Sequence, residues 1–184
     1  DLLQRVKENQ VTTINAAGRY LLLEFPYQQY PLRSEETIFQ LKLCGITPVL
    51  AHPERIAFFT SDMKRLETLV RLGCLTQVTA SAILGGFGDR AKDFSFRMLQ
   101  RGLVHIISSD AHDTVYRPPV LSKARDAAAE VVGAERAMAL VSEVPRAVCD
   151  GREWEPWELP PDPPPESQGL IERLRTLLRG RNRE

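Results

Sequence analysis

The sequence carries no excess charge of either sign: 24 Lys and Arg stand against 24 Asp and Glu. That absence removes the overall field by which nucleic-acid binders and proteins of anionic membrane surfaces hold their partners. No apolar run approaches the roughly 18 residues of a membrane-crossing helix, and the first residues show neither the basic nor the apolar region of a signal peptide. Cysteine is scarce. Cys44, Cys74 and Cys149 are odd in number and widely spaced, which fits neither a disulfide framework nor a zinc knuckle and points to a reducing cytoplasm. The loop containing Gly85, Gly86 and Gly88 is not followed by a Lys-Ser/Thr pair, so it is no nucleotide P-loop and reads instead as a flexible rim.

What is present is an ordinary globular composition, 43% hydrophobic and 26% charged over 184 residues, enough for one buried core. Short apolar, β-rich runs at 20–25, 48–51, 75–79 and 104–108 read as strands. Between them, 35–44, 62–72 and 90–101 carry apolar residues at helical spacing and stop at Gly45, Gly73 and Gly102, each placed as a helix C-cap. The alternation predicts an α/β fold of repeated βα units around parallel strands, whose C-terminal ends gather at one mouth. Helical stretches at about 122–132 and 134–144 follow.

Composition changes from Trp154, where Pro156, Pro160, Pro161 and Pro163 to Pro165 crowd among acidic residues. The reading is a domain over 1–152, a proline-rich linker over 153–168 and a basic amphipathic tail helix over 169–184. That helix carries Leu170, Ile171, Leu174, Leu177 and Leu178 on one face, so it either docks on a partner or membrane surface or rests on its own domain.

Residues at the strand ends carry the chemistry: Glu24, His52, and Asp110 with His112. Carboxylate oxygen with neutral imidazole suits Mn, Fe or Zn, and such a site can acidify bound water. Each residue alone also reads as structural, as His105 does within the last strand; their common position at the mouth sets the four apart. Arg55, three residues after His52, and Arg117, before Pro118 and Pro119, add planar guanidinium groups that match phosphate oxygens bidentately, or else are surface charges.

Leu23-Glu24-Phe25, the stretch from Gly45 to Arg55 (GITPVLAHPER), Gly73 to Val78 (GCLTQV), and Ser109-Asp110-Ala111-His112 followed by Arg117-Pro118-Pro119 occur in that order. The chain therefore resembles the capsule- and exopolysaccharide-associated tyrosine-protein phosphatases, CpsB/CapC-like, of the PHP (polymerase and histidinol phosphatase) superfamily. The similarity runs from about Gln4 to Val148. The resemblance implies a PHP-type distorted βα barrel with several metal ions, usually Mn2+, at its mouth. It implies Glu24, His52, Asp110 and His112 as metal ligands, Arg55 and Arg117 as phosphate-binding arginines, and attack on phosphotyrosine by metal-bound hydroxide. The implied protein is bacterial and cytoplasmic, with a phosphotyrosine protein such as a tyrosine kinase as partner and neither nucleic acid nor a membrane span. A cysteine mechanism, which needs Arg six residues after Cys, is excluded: Leu50, Ala80 and Glu155 stand there.

The family opens with a His-x-His strand end and further acidic ligands, and nothing of the kind precedes Glu24. The expectation is an N-terminally incomplete chain lacking the first barrel strands, inactive alone. A degenerate form is the alternative, and so are a PHP phosphoesterase acting on a small phosphate ester and a non-catalytic barrel remnant serving as an interaction module.

Overall fold

Three times the chain closes a helix on a glycine and enters a strand within a few residues, and each time the closure uses the same hydrogen bonds. In the computed structural model, which describes residues 2–115 and 118–159, helix α1 spans Leu2–Lys7, strand β1 Tyr20–Leu23, α2 Ser34–Leu43 and β2 Thr47–Ala51. After α2 the N–H of Ile46 donates to the carbonyl of Leu41 and that of Gly45 to Lys42, a Schellman closure. Gly45 sits at φ 77°, a left-handed value that side chains adopt only at a cost. The pattern repeats after α4 (Met63–Arg71), where Cys74 donates to Leu69 and Gly73 to Val70, leading into β3 (Leu75–Thr79). It repeats again after α6 (Asp89–Gln100), where Leu103 donates to Met98 and Gly102 to Leu99, leading into β4 (Ile106–Ser108).

The remaining helices are α3 (Ala57–Ser61), α5 (Ala80–Ile83), α7 (Ser122–Val132), α8 (Ala134–Val141) and α9 (Glu143–Cys149). The helical pattern read over 134–144 is thus two helices. Pro145 is tolerated in the first turn of a new helix but would break the interior of a continuing one, so the chain restarts at Ser142, φ −132°.

The four strands among the described residues are all parallel and lie side by side in chain order, β1-β2-β3-β4. Successive residues face opposite ways. Leu50, Val78 and Ile107 therefore meet Ile38, Leu66, Leu69, Phe94, Met98 and Leu140 in the main core. On the other face Tyr20, Val49, Leu75 and Ile106 meet Val144 and Val148 of α9, with Ile14, Trp154 and Trp157 packed against them. Packing continues past Arg152: the Tyr20 hydroxyl donates to the Arg152 carbonyl at 2.9 Å, the indoles of Trp154 and Trp157 lie edge to face at 4.9 Å, and Leu159 touches the main core. The aromatic content of 153–159 offsets its prolines, so this part of the expected linker lies against the domain. The rest of that linker and the tail helix fall outside the described residues.

His105, read as lying within the last strand, stands one residue before β4 and is 1% exposed. The Thr76 N–H donates to its Nδ1 at 3.0 Å, which puts the ring proton on Nε2, while the Thr76 hydroxyl bonds the Leu103 carbonyl. Burial, followed by the charge of Arg136, lowers the His105 pKa to about 3. The unfolded chain then binds a proton below about pH 6.5 that the folded one refuses, so stability is full above that pH and falls as the solution is acidified. Moving from pH 7 to pH 5 should cost about 2 kcal/mol through this group. Urea unfolding of the unchanged chain and of a His105→Asn variant at the two pH values isolates it as the difference between the two, because buried Glu54, with its pKa raised to about 7, acts in the opposite sense in both.

Candidate active site

Because the strands run parallel, the residues that follow β1, β2 and β4 emerge along one edge of the sheet. Glu24 follows β1 and is exposed, whereas His52 follows β2 and is 5% exposed; Glu24 Oε1 lies 3.2 Å from His52 Nε2. The His52 N–H still donates to the Gln77 carbonyl at 2.8 Å, extending the β2–β3 ladder by one bond. The backbone then turns left-handed at His52, φ 36°, and opens a short 3-10 turn, Pro53–Arg55. Asp110, after β4, is also left-handed at φ 48°. Two non-glycine residues in this region, each carrying on the order of 1–3 kcal/mol of strain, are the kind of outlier that clusters at functional sites.

The 3-10 turn is pinned from below. Glu54 is 1% exposed, and its Oε1 accepts from the N–H of Thr79 at 3.0 Å and from its hydroxyl at 2.7 Å, tying the turn to the end of β3. Burial raises the Glu54 pKa to about 7, against the lowering effect of those two bonds. The pinned turn presents Arg55 across the edge, where its Nη1 lies 3.5 Å from Asp110 Oδ2. The guanidinium sits 4.4 Å over the ring of Phe87 and 5.3 Å over that of Tyr27. Tyr27 in turn stacks on the His52 imidazole, centroids 5.8 Å apart and planes 10° from parallel. The arginine is therefore oriented by a carboxylate and two aromatic faces.

His112 is exposed, and its Nδ1 lies 2.8 Å from the Asp110 carbonyl. A carbonyl only accepts, so Nδ1 carries the proton and Nε2 keeps its lone pair. This is the orientation that prepares a histidine to bind a metal.

The structure thus brings Glu24 to His52, and Asp110 to both Arg55 and His112. Arg117 lies outside the described residues. Among the described residues no three His, Cys, Asp or Glu side chains converge as a group able to hold an ion. The donor chemistry nevertheless suits one: His52 Nδ1 is buried without a hydrogen-bond partner, and the proton on His112 Nδ1 leaves the lone pair of Nε2 for a ligand. The described residues supply pairs of donors rather than a closed shell.

A cleft of about 510 Å³ opens beside this edge, lined by Tyr27, Glu54, Arg55, Thr60, Phe87 and Arg90 among others. Tyr27 and Phe87 escaped the sequence reading because neither is a ligand or nucleophile type. The available signal was an aromatic set between glycines, Gly86-Phe87-Gly88, in a loop. Gly86 leaves little room for a side chain there, since a Cβ would press on the hydroxyl and the carbonyl oxygen of Ser81.

A sequence profile for the family described as capsular polysaccharide synthesis, CpsB/CapC, matches residues 1–150. The chain is 35% identical over 114 residues to the tyrosine-protein phosphatase YwqE of Bacillus subtilis (strain 168), covering 62% of this chain and 44% of that one. It is 32% identical over 153 residues to the tyrosine-protein phosphatase CpsB of Streptococcus pneumoniae, covering 80% and 63% respectively. The chain thus spans about half, and at most 63%, of these curated relatives. Among solved structures, a chain from the crystal structures of YwqE and CpsB, described as metal-dependent tyrosine phosphatases, matches with a TM-score of 0.80. It is 28% identical, and the match covers 88% of this chain and 64% of that one. With its parallel α/β sheet and a profile match over residues 1–150, the chain belongs to the CpsB/CapC family of capsular polysaccharide synthesis proteins.

Proposed function

We propose that this chain carries part of the active site of a metal-dependent protein-tyrosine phosphatase acting in capsular or exopolysaccharide synthesis. The observation that carries the reading is Arg55, paired with Asp110 and held between two aromatic rings at the edge where Glu24, His52 and His112 also emerge. A guanidinium fixed in this way presents two parallel N–H groups to phosphate oxygens and stabilises the charge that builds on them during transfer. The aromatic faces beside it suit the ring of a phosphotyrosine. Glu24, His52, Asp110 and His112 would hold the metal, which we take to be Mn2+ in more than one ion. Bound there, the metal supplies acidified water and neutralises phosphoryl charge. Asp110 orients Arg55, and its carbonyl fixes the proton of His112 on Nδ1.

Strands that advance across the sheet in chain order without reversal support a distorted βα barrel of PHP type, because a doubly wound sheet reverses direction. Free Cys44 and Cys149, both exposed, support a reducing cytoplasmic setting. No helix among the described residues is long and apolar enough to cross a membrane. The substrate we assign is a phosphotyrosine protein, such as a bacterial tyrosine kinase.

The test is phosphate release from a phosphotyrosyl peptide with and without Mn2+, by this chain and by its full natural open reading frame. Metal-dependent release by the full product, exceeding that from small aliphatic phosphate esters, is the expected result. Preference for a small ester would instead make it a small-molecule phosphoesterase, and no release from either substrate would overturn the reading.

A further inference from the structure

The cleft beside Arg55 is larger than a phosphoryl group and an aromatic ring require. Its volume, about 510 Å³, lies within the roughly 300–1,000 Å³ of sites that enclose whole ligands. Its walls carry two guanidinium groups of different status. Arg55 is three-quarters buried and already faces Asp110. Arg90 is exposed, and among the described residues it has no ion pair or hydrogen bond. Arg90 also stands in the first turn of α6, where the helix dipole disfavours a cation, so the stability of the helix does not account for its charge. The charge lines the same cleft as Arg55.

Resting on the phosphatase reading, we propose that this cleft receives the polypeptide flanking the phosphotyrosine, and that Arg90 is a specificity-determining residue selecting an acidic side chain beside it. Arg55, in contact with Phe87 and Tyr27, takes the phosphoryl group, and the substrate backbone with its neighbouring side chain takes the rest of the cleft that Arg90 lines. Arg90 touches no group that changes covalently, so it acts on recognition and not on the chemical step.

The test uses the enzyme in its full natural length with Mn2+, and a pair of phosphotyrosyl peptides that differ only in Asp or Asn next to the phosphotyrosine, alongside p-nitrophenyl phosphate. The unchanged enzyme should show a kcat/KM about three- to fivefold higher for the Asp peptide, the range of an exposed ion pair, and the preference should fade at high salt. Arg90→Ala should abolish the preference and Arg90→Glu should invert it, while p-nitrophenyl phosphate turnover stays as in the unchanged enzyme and the thermal midpoint does not fall, since the helix dipole favours both replacements. The same peptide ratio in the enzyme and in Arg90→Glu would overturn this inference alone. Failure of the unchanged enzyme to hydrolyse any of the three substrates would overturn the phosphatase reading and this inference with it.

Discussion

Asp110→Asn is expected to lower kcat/KM on a phosphotyrosyl peptide by on the order of a thousandfold or more, in the full natural product supplied with Mn2+. Three arrangements converge on this residue. Its carboxylate is an oxygen donor at the strand-end edge, its Oδ2 faces Arg55 at 3.5 Å, and its carbonyl receives the Nδ1 proton of His112. On the proposed role, removing the charge should weaken metal retention and free Arg55 from its orienting partner in a single substitution. Loss of a group that merely supports a metal ligand costs about 10–100-fold, and loss of a ligand that also aligns the phosphate holder compounds that. Asparagine is the informative choice because, like aspartate, it tolerates the left-handed backbone at φ 48°. The fold should therefore survive and the loss report on charge. Metal content per chain, measured by plasma mass spectrometry, should fall in parallel, and near-normal turnover would remove Asp110 from the site.

Arg55→Lys separates charge from geometry. It should lower kcat by about 10²- to 10³-fold, the cost of losing one preorganised donor at a developing oxyanion, and leave metal content unchanged. Lysine keeps the positive charge but is a point donor on a flexible stem. It cannot stack between Phe87 and Tyr27 or offer two parallel N–H groups to one phosphate. Turnover within a few-fold of the unchanged enzyme would mean that a cation suffices at this position and that the aromatic cradle has another use. A parallel loss of metal would place Arg55 in ligand support.

The scaffold was legible because its signals are local. Glycine at 45, 73 and 102 ends a helix by backbone geometry alone, and apolar strands buried on both faces announce a covered sheet. The strand-end residues followed from that frame, and Glu24 with His52, and Asp110 with Arg55 and His112, do come together. What escaped depends on contacts distant in sequence. Phe87 reaches Arg55 only because α5 folds back after β3, and Glu54 becomes a buried tether only because Thr79 meets it across the sheet. The packing of Trp154 and Trp157 was hidden by the prolines around them, since composition reports what a segment contains and not what lies opposite it.

The three Schellman closures fix where β2, β3 and β4 begin, and they do so at the end of the sheet away from Glu24, His52 and Asp110. Strand register is therefore set independently of the loops that carry Glu24, His52 and Asp110. Insertions, deletions and substitutions after the strands leave the hydrogen-bond ladder in place. Selection could thus reshape what this surface binds, residue by residue, without first solving the folding problem again.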